Sequence, residues 1–145
     1  YELHSAMEIE KISIRSRAFS LGRVSLKENA RNRTEEELKN EITILLAGRC
    51  AERVFCGGCD EGCISDYDRA KKIADDMLNL YGMCEIGVTK QEDLLREGDR
   101  AAMEIIHRYQ SCMESIAAEL LNGREFSGEE FLEIVEKNNS EKCKL

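Results

Sequence analysis

Residues 34–55 read TEEELKNEITILLAGRCAERVF, and this stretch decides the fold class because it carries both a helix start and a helical period. Thr34 is followed three residues later by Glu37, the capping-box spacing in which each side chain bonds the other residue's free backbone N–H. Side chains that predict an inward-facing helix surface then recur at spacings of three, four and eight residues: Leu38, Ile42, Leu45, Leu46, Arg49 and Val54. The stretch therefore predicts a helix from Thr34 to about Phe55.

The glycine-rich stretch that follows, CGGCDEGCISD (56–66), ends this helix and brings three cysteines close together in sequence. Cys56, Cys59 and Cys63 are typical of a zinc knuckle, but a closed structural zinc site needs four ligands. Cys84 lies beyond the next predicted helix, whose two ends cannot meet because a helix rises about 1.5 Å per residue. The pattern favours solvent-side thiols over a structural zinc site.

A second helix is predicted from about Ser65 to Tyr81-Gly82, where the glycine suits a left-handed C-cap. Asp66 stands at its start, and helical steps from it lead to an apolar face: Ala70, Ile73 and Met77. Spacing leaves two roles for this carboxylate open, a helix cap or a metal ligand. It favours the cap, because carboxylates suit the positive end of a helix and because Ser65 and Asp68 also fit a capping arrangement.

A small β-element is predicted near the start of the chain. KISIRS (11–16) alternates Ile12 and Ile14 with polar neighbours, which is the period of a half-buried strand. FSLGRVSL (19–26) is a second short β-like run, and the two together predict a hairpin or an edge pair.

The C-terminal part of the chain is helical in pattern. One long helix, or two joined end to end, is predicted from about Glu92 to Asn122, where Gly123 stops it. Its apolar stripe, interpreted as core, is Leu95, Met103, Ile106, Tyr109, Met113, Ile116 and Leu120. Ser127 and Glu130 form another capping box that opens a last helix through Val135, and the tail 138–145 is expected to fray. The predicted fold class is mainly α, a helical bundle with a small β-hairpin or edge-strand element near the N-terminus.

Composition excludes several classes of protein. The 145 residues suffice for one domain with one core. Twenty-one basic and 29 acidic residues give a net charge of -8, which argues against nucleic acid as a partner because phosphate binding needs a basic surface.

No apolar run in the sequence approaches the roughly 18 residues of a membrane span. Seven cysteines without a secretory signal predict reduced thiols. The chain begins at a tyrosine, so we expect a fragment of a longer protein.

The two histidines are weak metal candidates. His4 and Glu8 fall at i, i+4, a spacing that can hold a metal but is common by chance. His107 sits beside the apolar stripe of the long helix. Both are interpreted as ordinary surface or boundary histidines.

Residues 42–83 resemble the peptidase domain of the FtsH family, the ATP-dependent, membrane-anchored zinc metalloproteases of peptidase family M41. That family has a GGRAAE-like motif, a TTGA-type loop, an (N/S)D pair and a helix that ends in YGM. The counterparts here are AGRCAE (47–52), EGCISD (61–66) and YGM (81–83). KISIRSRAFSLGRV (11–24) resembles the family's KVTIIPRGRALGYT segment, with Ser16 in place of its proline. The resemblance of residues 98–135 to the family's C-terminal helices is looser.

The resemblance implies a role for Asp66 that differs from a helix cap. In this family the zinc is held by the two histidines of an HExxH helix and by a distant carboxylate, the aspartate of the (N/S)D pair. Asp66 occupies that position, so the resemblance favours a third zinc ligand. The fourth position is left for a water whose pKa zinc lowers and whose proton the HExxH glutamate takes.

The chain contains no HExxH, and two registers account for this. In the gapless register the motif lies upstream of Tyr1, and YELHSAMEIE (1–10) is the end of the zinc helix and the turn into the first strand. In the other register YELHS sits on the motif, with Tyr1 and Ser5 in place of the histidines and Glu2 kept, which describes an inactive peptidase. The gapless register is favoured because it needs no deletion before Lys11. No catalytic residue is assigned within the chain.

The resemblance also implies the surroundings of this domain. The chain has no GxxxxGK[ST] loop, so we expect the ATPase that uses ATP, and the membrane anchor, to precede it in the parent protein. We expect polypeptide substrates (unfolded or membrane proteins), a homo-hexamer, and a cytoplasmic domain that contacts the membrane only through upstream segments. Within a single domain over 1–145, we expect three parts: 1–33 with the end of the zinc helix and the β-element, 34–83 with two core helices and the metal-ligand loop, and 92–137 with the C-terminal helices. The alternative is a proteolytically inactive domain that serves as a helical oligomerisation or adaptor module.

Overall fold

The computed structural model describes residues 3, 7–14, 23–28, 32–84, 87–88 and 90–142. The chain divides into two compact units: a helical unit (residues 2–5 and 31–108) and a sheet unit (residues 1, 6–30 and 109–145). The described elements are mainly helical, as the sequence predicts. Among the described helices, none combines the length and the apolar character that a membrane span requires.

The first helix of the helical unit, α1 (Glu35–Cys56), begins at the predicted capping box. The Thr34 hydroxyl accepts a hydrogen bond from the Glu37 backbone N–H at 3.2 Å, and the Thr34 N–H donates to Glu37 Oε2 at 2.9 Å. The helix ends at Gly57, whose φ of 75° is the left-handed conformation that glycine adopts without steric cost. The predicted bounds are confirmed to within one residue.

The second helix, α2 (Ile64–Asp76), continues into a π-helical turn, Met77–Tyr81, and stops at Gly82 with a φ of 61°. This end also matches the prediction. The third helix, α3 (Gln91–Leu121), is one continuous helix, and its residues up to Arg108 belong to the helical unit.

These three helices enclose the core of the helical unit. Its buried members are Leu38, Ile42, Leu45, Leu46, Ala70, Ala74, Met77, Leu94 and Leu95. Gly98 allows α3 to approach α1 closely, because a Cβ at this position would lie 2.9 Å from Ile42 Cγ2. The predicted inner face of α1 is confirmed at its four aliphatic members 38–46, whereas Arg49 and Val54 are only half-buried.

A buried carboxylate ties α1 to its neighbours. The Glu41 side chain is 8% exposed and is ion-paired with Arg33, which precedes α1, and with Arg69 on α2, whose Nη2 lies 3.7 Å from Glu41 Oε1. Burying a charge is costly unless it is paired, so these contacts compensate the desolvation of the carboxylate. Sequence reasoning missed this group, because its partners are not set by helical spacing.

Glu41→Gln is expected to lower the free energy of unfolding by about 2 kcal/mol. Removing one partner of a buried pair costs about 3–5 kcal/mol, and the exposure of Arg69 reduces that figure. Urea unfolding followed by circular dichroism measures the change. The control is Glu35→Gln, which removes a half-buried i, i+4 pair with Lys39 and is expected to cost about 0.5 kcal/mol or less. Equal unfolding midpoints for the two variants would contradict the stabilising role of Glu41.

The sheet unit contains a three-stranded antiparallel sheet in the order β2-β1-β3, formed by β1 (Met7–Ser13), β2 (Arg23–Glu28) and β3 (Phe126–Ser127). The predicted pairing of β1 with β2 is confirmed. The predicted strand 11–16 is wrong in its bounds, because β1 begins at Met7 and ends at Ser13, and residues 15–16 lie outside the described part. The register of its pairing with β2 shifts between Ile9 and Lys11. Such a bulge inserts a residue and reverses the side-chain alternation, which hides the first half of the strand from a period-two pattern.

The last helix, α4 (Gly128–Lys142), opens at the predicted capping box. The Ser127 N–H donates to Glu130 Oε2 at 2.9 Å, and the Glu130 N–H donates to Ser127 Oγ at 3.2 Å. The prediction that the chain frays from residue 138 is wrong as far as Lys142, because the segment 138–142 contains no glycine or proline to end the backbone hydrogen bonding. Residues 143–145 lie outside the described part.

The apolar stripe of α3 is confirmed as core at most of its positions. Its buried members are Leu95, Ile106, Tyr109, Ile116 and Leu120, whereas Met103 and Met113 are half-buried.

Candidate metal-ligand site

The loop between α1 and α2 positions the candidate ligand. The Asp60 N–H donates to Glu52 Oε2 at 3.1 Å, which ties the loop back to α1. Asp60 Oδ1 accepts from the Gly62 N–H at 2.7 Å and so caps a short 3₁₀ turn, Glu61–Cys63, that runs directly into α2. The carboxylate that caps the turn leading into α2 is therefore Asp60, a role that the sequence pattern did not predict.

Asp66 lies in the first turn of α2, three positions after its N-cap, Cys63. The prediction that Asp66, Ser65 or Asp68 caps the helix is wrong, because no side chain makes a capping hydrogen bond there and Asp68 pairs with Lys71 at 2.7 Å. The helix starts at Ile64, one residue before the predicted Ser65, because the 3₁₀ turn Glu61–Cys63 runs directly into it.

The Asp66 side chain is exposed, although the apolar face that starts from it is buried at Ala70 and Met77. Within the described part of the chain its carboxylate has neither a hydrogen-bond nor an ion-pair partner. A single anionic oxygen donor at the positive end of a helix, free of competing contacts, suits one ligand position of a zinc site. Asp66 therefore fits the role of one ligand out of three.

The other candidate ligands do not join Asp66 in the described part. No group of three or more His, Cys, Asp or Glu side chains is placed there to hold a metal ion. His107 is exposed on α3, and His4 lies outside the described residues. Tyr1, Glu2 and Ser5, which the second register aligns with the HExxH motif, also lie outside them.

Cys56, Cys59 and Cys63 do not form a metal cluster with one another. Cys56 and Cys59 are exposed and Cys63 is half-buried, with its thiol donating to the Asp60 carbonyl at 3.2 Å. All six described cysteines carry free thiols, including Cys84, which lies just beyond the π-helical turn that follows α2.

Cys50 differs from these thiols because it is fully buried under α3. Burial, and then the neighbouring Asp99 carboxylate, raise the pKa of the Cys50 thiol to about 11. The thiol donates to Asp99 Oδ1 at 3.5 Å. Sequence reasoning missed this pair, whose members lie 49 positions apart.

We expect Cys50 to resist alkylation in the folded chain. The thiolate is the reactive form, and it becomes abundant only as the pH rises towards 11, so at pH 8 its fraction is about 100-fold below that of a thiol of pKa 9. Iodoacetamide labelling followed by peptide mass spectrometry should modify Cys56 and Cys59 well before Cys50. Labelling in urea is the control, because there all three cysteines should react at similar rates. Equal labelling rates for Cys50, Cys56 and Cys59 in the folded chain would contradict the expectation.

The chain is similar in sequence to known proteins. The model of peptidase family M41 matches residues 1–94. ATP-dependent zinc metalloprotease FtsH 2 of Thermoanaerobacter sp. is 46% identical over 81 residues, which are 54% of this chain and 16% of the relative. ATP-dependent zinc metalloprotease FtsH of Halothermothrix orenii is 33% identical over 126 residues, 81% of this chain and 19% of the relative.

A eukaryotic relative matches nearly the whole chain. ATP-dependent zinc metalloprotease YME1L1 of Mus musculus is 31% identical over 159 aligned residues, which cover 94% of this chain and 22% of the relative. The chain thus spans less than a quarter of the length of each of these three relatives. Because the family model covers residues 1–94 of 145, the chain belongs to peptidase family M41, as an FtsH-like peptidase domain.

Proposed function

We propose that this chain is the larger part of the peptidase domain of an ATP-dependent zinc metalloendopeptidase. The relatives carry that activity in their names, and the observation that carries it to this chain is Asp66. Its exposed carboxylate, which has no partner among the described residues, stands at the start of α2, where the family pattern has its distant zinc ligand.

In this proposal Asp66 contributes one oxygen ligand, and the two histidines and the general-base glutamate come from an HExxH helix upstream of Tyr1. Zinc, when bound, supplies a Lewis acid that activates water at neutral pH. This chain's own contribution is to hold the Asp66 carboxylate in place. The tether from Asp60 to Glu52 and the burial of Ala70, Ala74 and Met77 fix the loop and the helix that carry it. A ligand on a rigid helix needs little reorganisation when the metal binds.

Because the proposed reaction is hydrolysis of peptide bonds, the proposed substrates are polypeptides. They include unfolded or membrane proteins delivered by an ATPase domain outside this chain. The domain is a cytoplasmic part of a membrane-anchored parent that assembles as a homo-hexamer, and ATP is used outside it.

The test compares this 145-residue chain with a chain extended by about 20 upstream residues, the span that accommodates an HExxH helix turn and its flanks. The extended chain is expected to bind one zinc per chain, measured by metal analysis after dialysis, and to cleave casein. The 145-residue chain is expected to retain little zinc and to cleave nothing.

An extended chain whose upstream sequence lacks HExxH, and which holds no zinc, would overturn the peptidase proposal. The domain would then be an inactive relative that serves as an oligomerisation or adaptor module. Analytical ultracentrifugation of the same extended chain would then report whether the retained fold still assembles.

A further inference from the structure

A cavity in the helical unit has a wall that the peptidase proposal does not use. Its volume is about 300 Å³, at the lower end of the range of small-molecule pockets. Residues of α1, α2 and α3 line it, and they include three arginines (Arg49, Arg53 and Arg96) against two carboxylates (Glu92 and Asp99). The wall therefore carries a net positive charge.

Arg49 is the unusual member of this wall. Its side chain is only 20% exposed, and its buried Nε donates no hydrogen bond to any described residue. Asp99 Oδ1 lies 3.5 Å from that nitrogen as an ion-pair partner. A guanidinium has five N–H donors, and a buried donor without an acceptor is costly. Arg49, which lines the cavity, thus has one N–H donor, that of Nε, without a hydrogen-bond acceptor among the described residues.

Asp99 pairs with the charge of Arg49 without accepting a hydrogen bond from its Nε, and the same carboxylate is shared with other groups. Arg53 Nη1 lies 3.3 Å from one Asp99 oxygen and 3.4 Å from the other. The Cys50 thiol also donates to Oδ1 at 3.5 Å. Arg49 instead lies over the Tyr67 ring, with its central carbon 4.9 Å from the ring centroid. Stacking of this kind holds the guanidinium plane in place without using its N–H donors.

The lining also has an apolar part. Leu46 and Leu95 are buried core residues, and Tyr67 adds an aromatic face. Arg96, which is 76% exposed and pairs with Asp93 at 3.3 Å, provides a further positive charge at the solvent side. A ligand that matches this surface has one carboxylate, which arginine binds through two parallel hydrogen bonds, and a short apolar body.

From these contacts we propose that the cavity binds an apolar carboxylate, with the carboxylate on Arg49 and the apolar body against Leu46, Leu95 and Tyr67. Two sources have this chemistry: the C-terminal residue of a peptide that ends in an aliphatic side chain, and a free aliphatic carboxylic acid. The site needs neither zinc nor the upstream segment. Its failure and the failure of the peptidase proposal are therefore separate results.

The experiment titrates the ¹⁵N-labelled 145-residue chain with N-acetyl-leucine, N-acetyl-leucine amide and hexanoate, and follows the arginine Nε–H signals. N-acetyl-leucine is expected to shift the Arg49 signal saturably, and the amide is expected to bind about tenfold or more weakly because it lacks the charged acceptor. Tighter binding of N-acetyl-leucine than of hexanoate assigns the site to peptide C-termini, and the reverse order assigns it to free carboxylic acids.

Two arginine variants distinguish binding in the cavity from non-specific attraction of the ligand's negative charge. Arg49→Gln is expected to weaken N-acetyl-leucine binding about tenfold or more, whereas Arg100→Gln, an exposed arginine of α3 outside the cavity lining, should leave it unchanged. If Arg49→Gln unfolds the chain, the exposed Arg96→Gln replaces it, with an expected loss of about threefold. Equal affinity for the acid and the amide, or no saturable shift well above millimolar ligand, would overturn the proposal.

Discussion

Asp66→Asn, introduced into the chain that carries the upstream segment, is expected to lose zinc and peptidase activity together. Asparagine has nearly the same shape but offers a neutral amide oxygen, a poorer ligand for a divalent cation than a carboxylate. Substituting a residue that only orients a metal ligand lowers metal affinity or activity about 10–100-fold. Substituting the ligand itself should therefore lower both by more than about 100-fold. Zinc content after dialysis and casein cleavage, measured on the same preparation, report the two losses.

Asp66→Asn should not change stability, because the carboxylate is exposed and has no partner in the described part of the chain. Surface substitutions of this kind stay within about 0.5 kcal/mol. The matched control is Asp68→Asn, which lies two residues further along the same helix and is also exposed. It removes the ion pair with Lys71 and should keep both zinc and activity. A fully active Asp66→Asn enzyme with bound zinc would exclude Asp66 as a ligand.

Gly128→Ala is expected to give the largest loss of stability. A Cβ at residue 128 would overlap the carbonyl oxygen of Ile9 and lie 3.0 Å from its carbonyl carbon. Both contacts involve backbone atoms, so no rotamer change relieves them, and α4 must move away from β1. Overpacking of this kind costs about 1–3 kcal/mol even where side chains yield, and the alanine recovers only about 1 kcal/mol of helix propensity. We therefore expect a net loss above about 3 kcal/mol, or a sheet unit that no longer folds.

The control for this prediction is Gly48→Ala in the exposed surface of α1. A Cβ there meets nothing within 4 Å, so the substitution should stabilise the chain by up to about 1 kcal/mol through helix propensity alone. Thermal unfolding by circular dichroism gives the sign of both changes, and hydrogen exchange of the β1 amides locates the damage. Equal stability for the two variants would show that α4 and β1 are not in the close contact described.

The elements predicted correctly from sequence all carry a local signal. The capping boxes at Thr34 and Ser127, and the left-handed glycines at 57 and 82, involve atoms no more than a few residues apart. They depend only on the backbone angles at one end of a helix, which are extended at the N-cap and left-handed at the glycine, so a short sequence pattern is sufficient to predict them. The extension of α4 to Lys142 was missed because the end of an apolar pattern does not end backbone hydrogen bonding.

The role of Asp66 shows the limit of such local signals. Spacing near the start of α2 favoured a helix cap, and resemblance to the M41 family favoured a zinc ligand. The structure shows that Asp60 caps the preceding turn and that the Asp66 carboxylate has no partner in the described part. The ligand role stays a prediction, since the histidines that would complete it are not in the described chain.

The sequence by itself determined where α1 and α2 start and stop, where α4 starts, which faces of α1 and α3 are apolar, and the peptidase family to which the chain belongs. Only the tertiary structure decided the third strand beside β1, the close approach at Gly128, the ion pairs of Glu41, and the Arg49–Asp99 cavity wall. The physical reason is the range of the interactions. Local hydrogen bonds leave a pattern within one turn of helix, whereas contacts such as Ile9 with Gly128 or Cys50 with Asp99 depend on how distant segments pack, and no spacing rule encodes them.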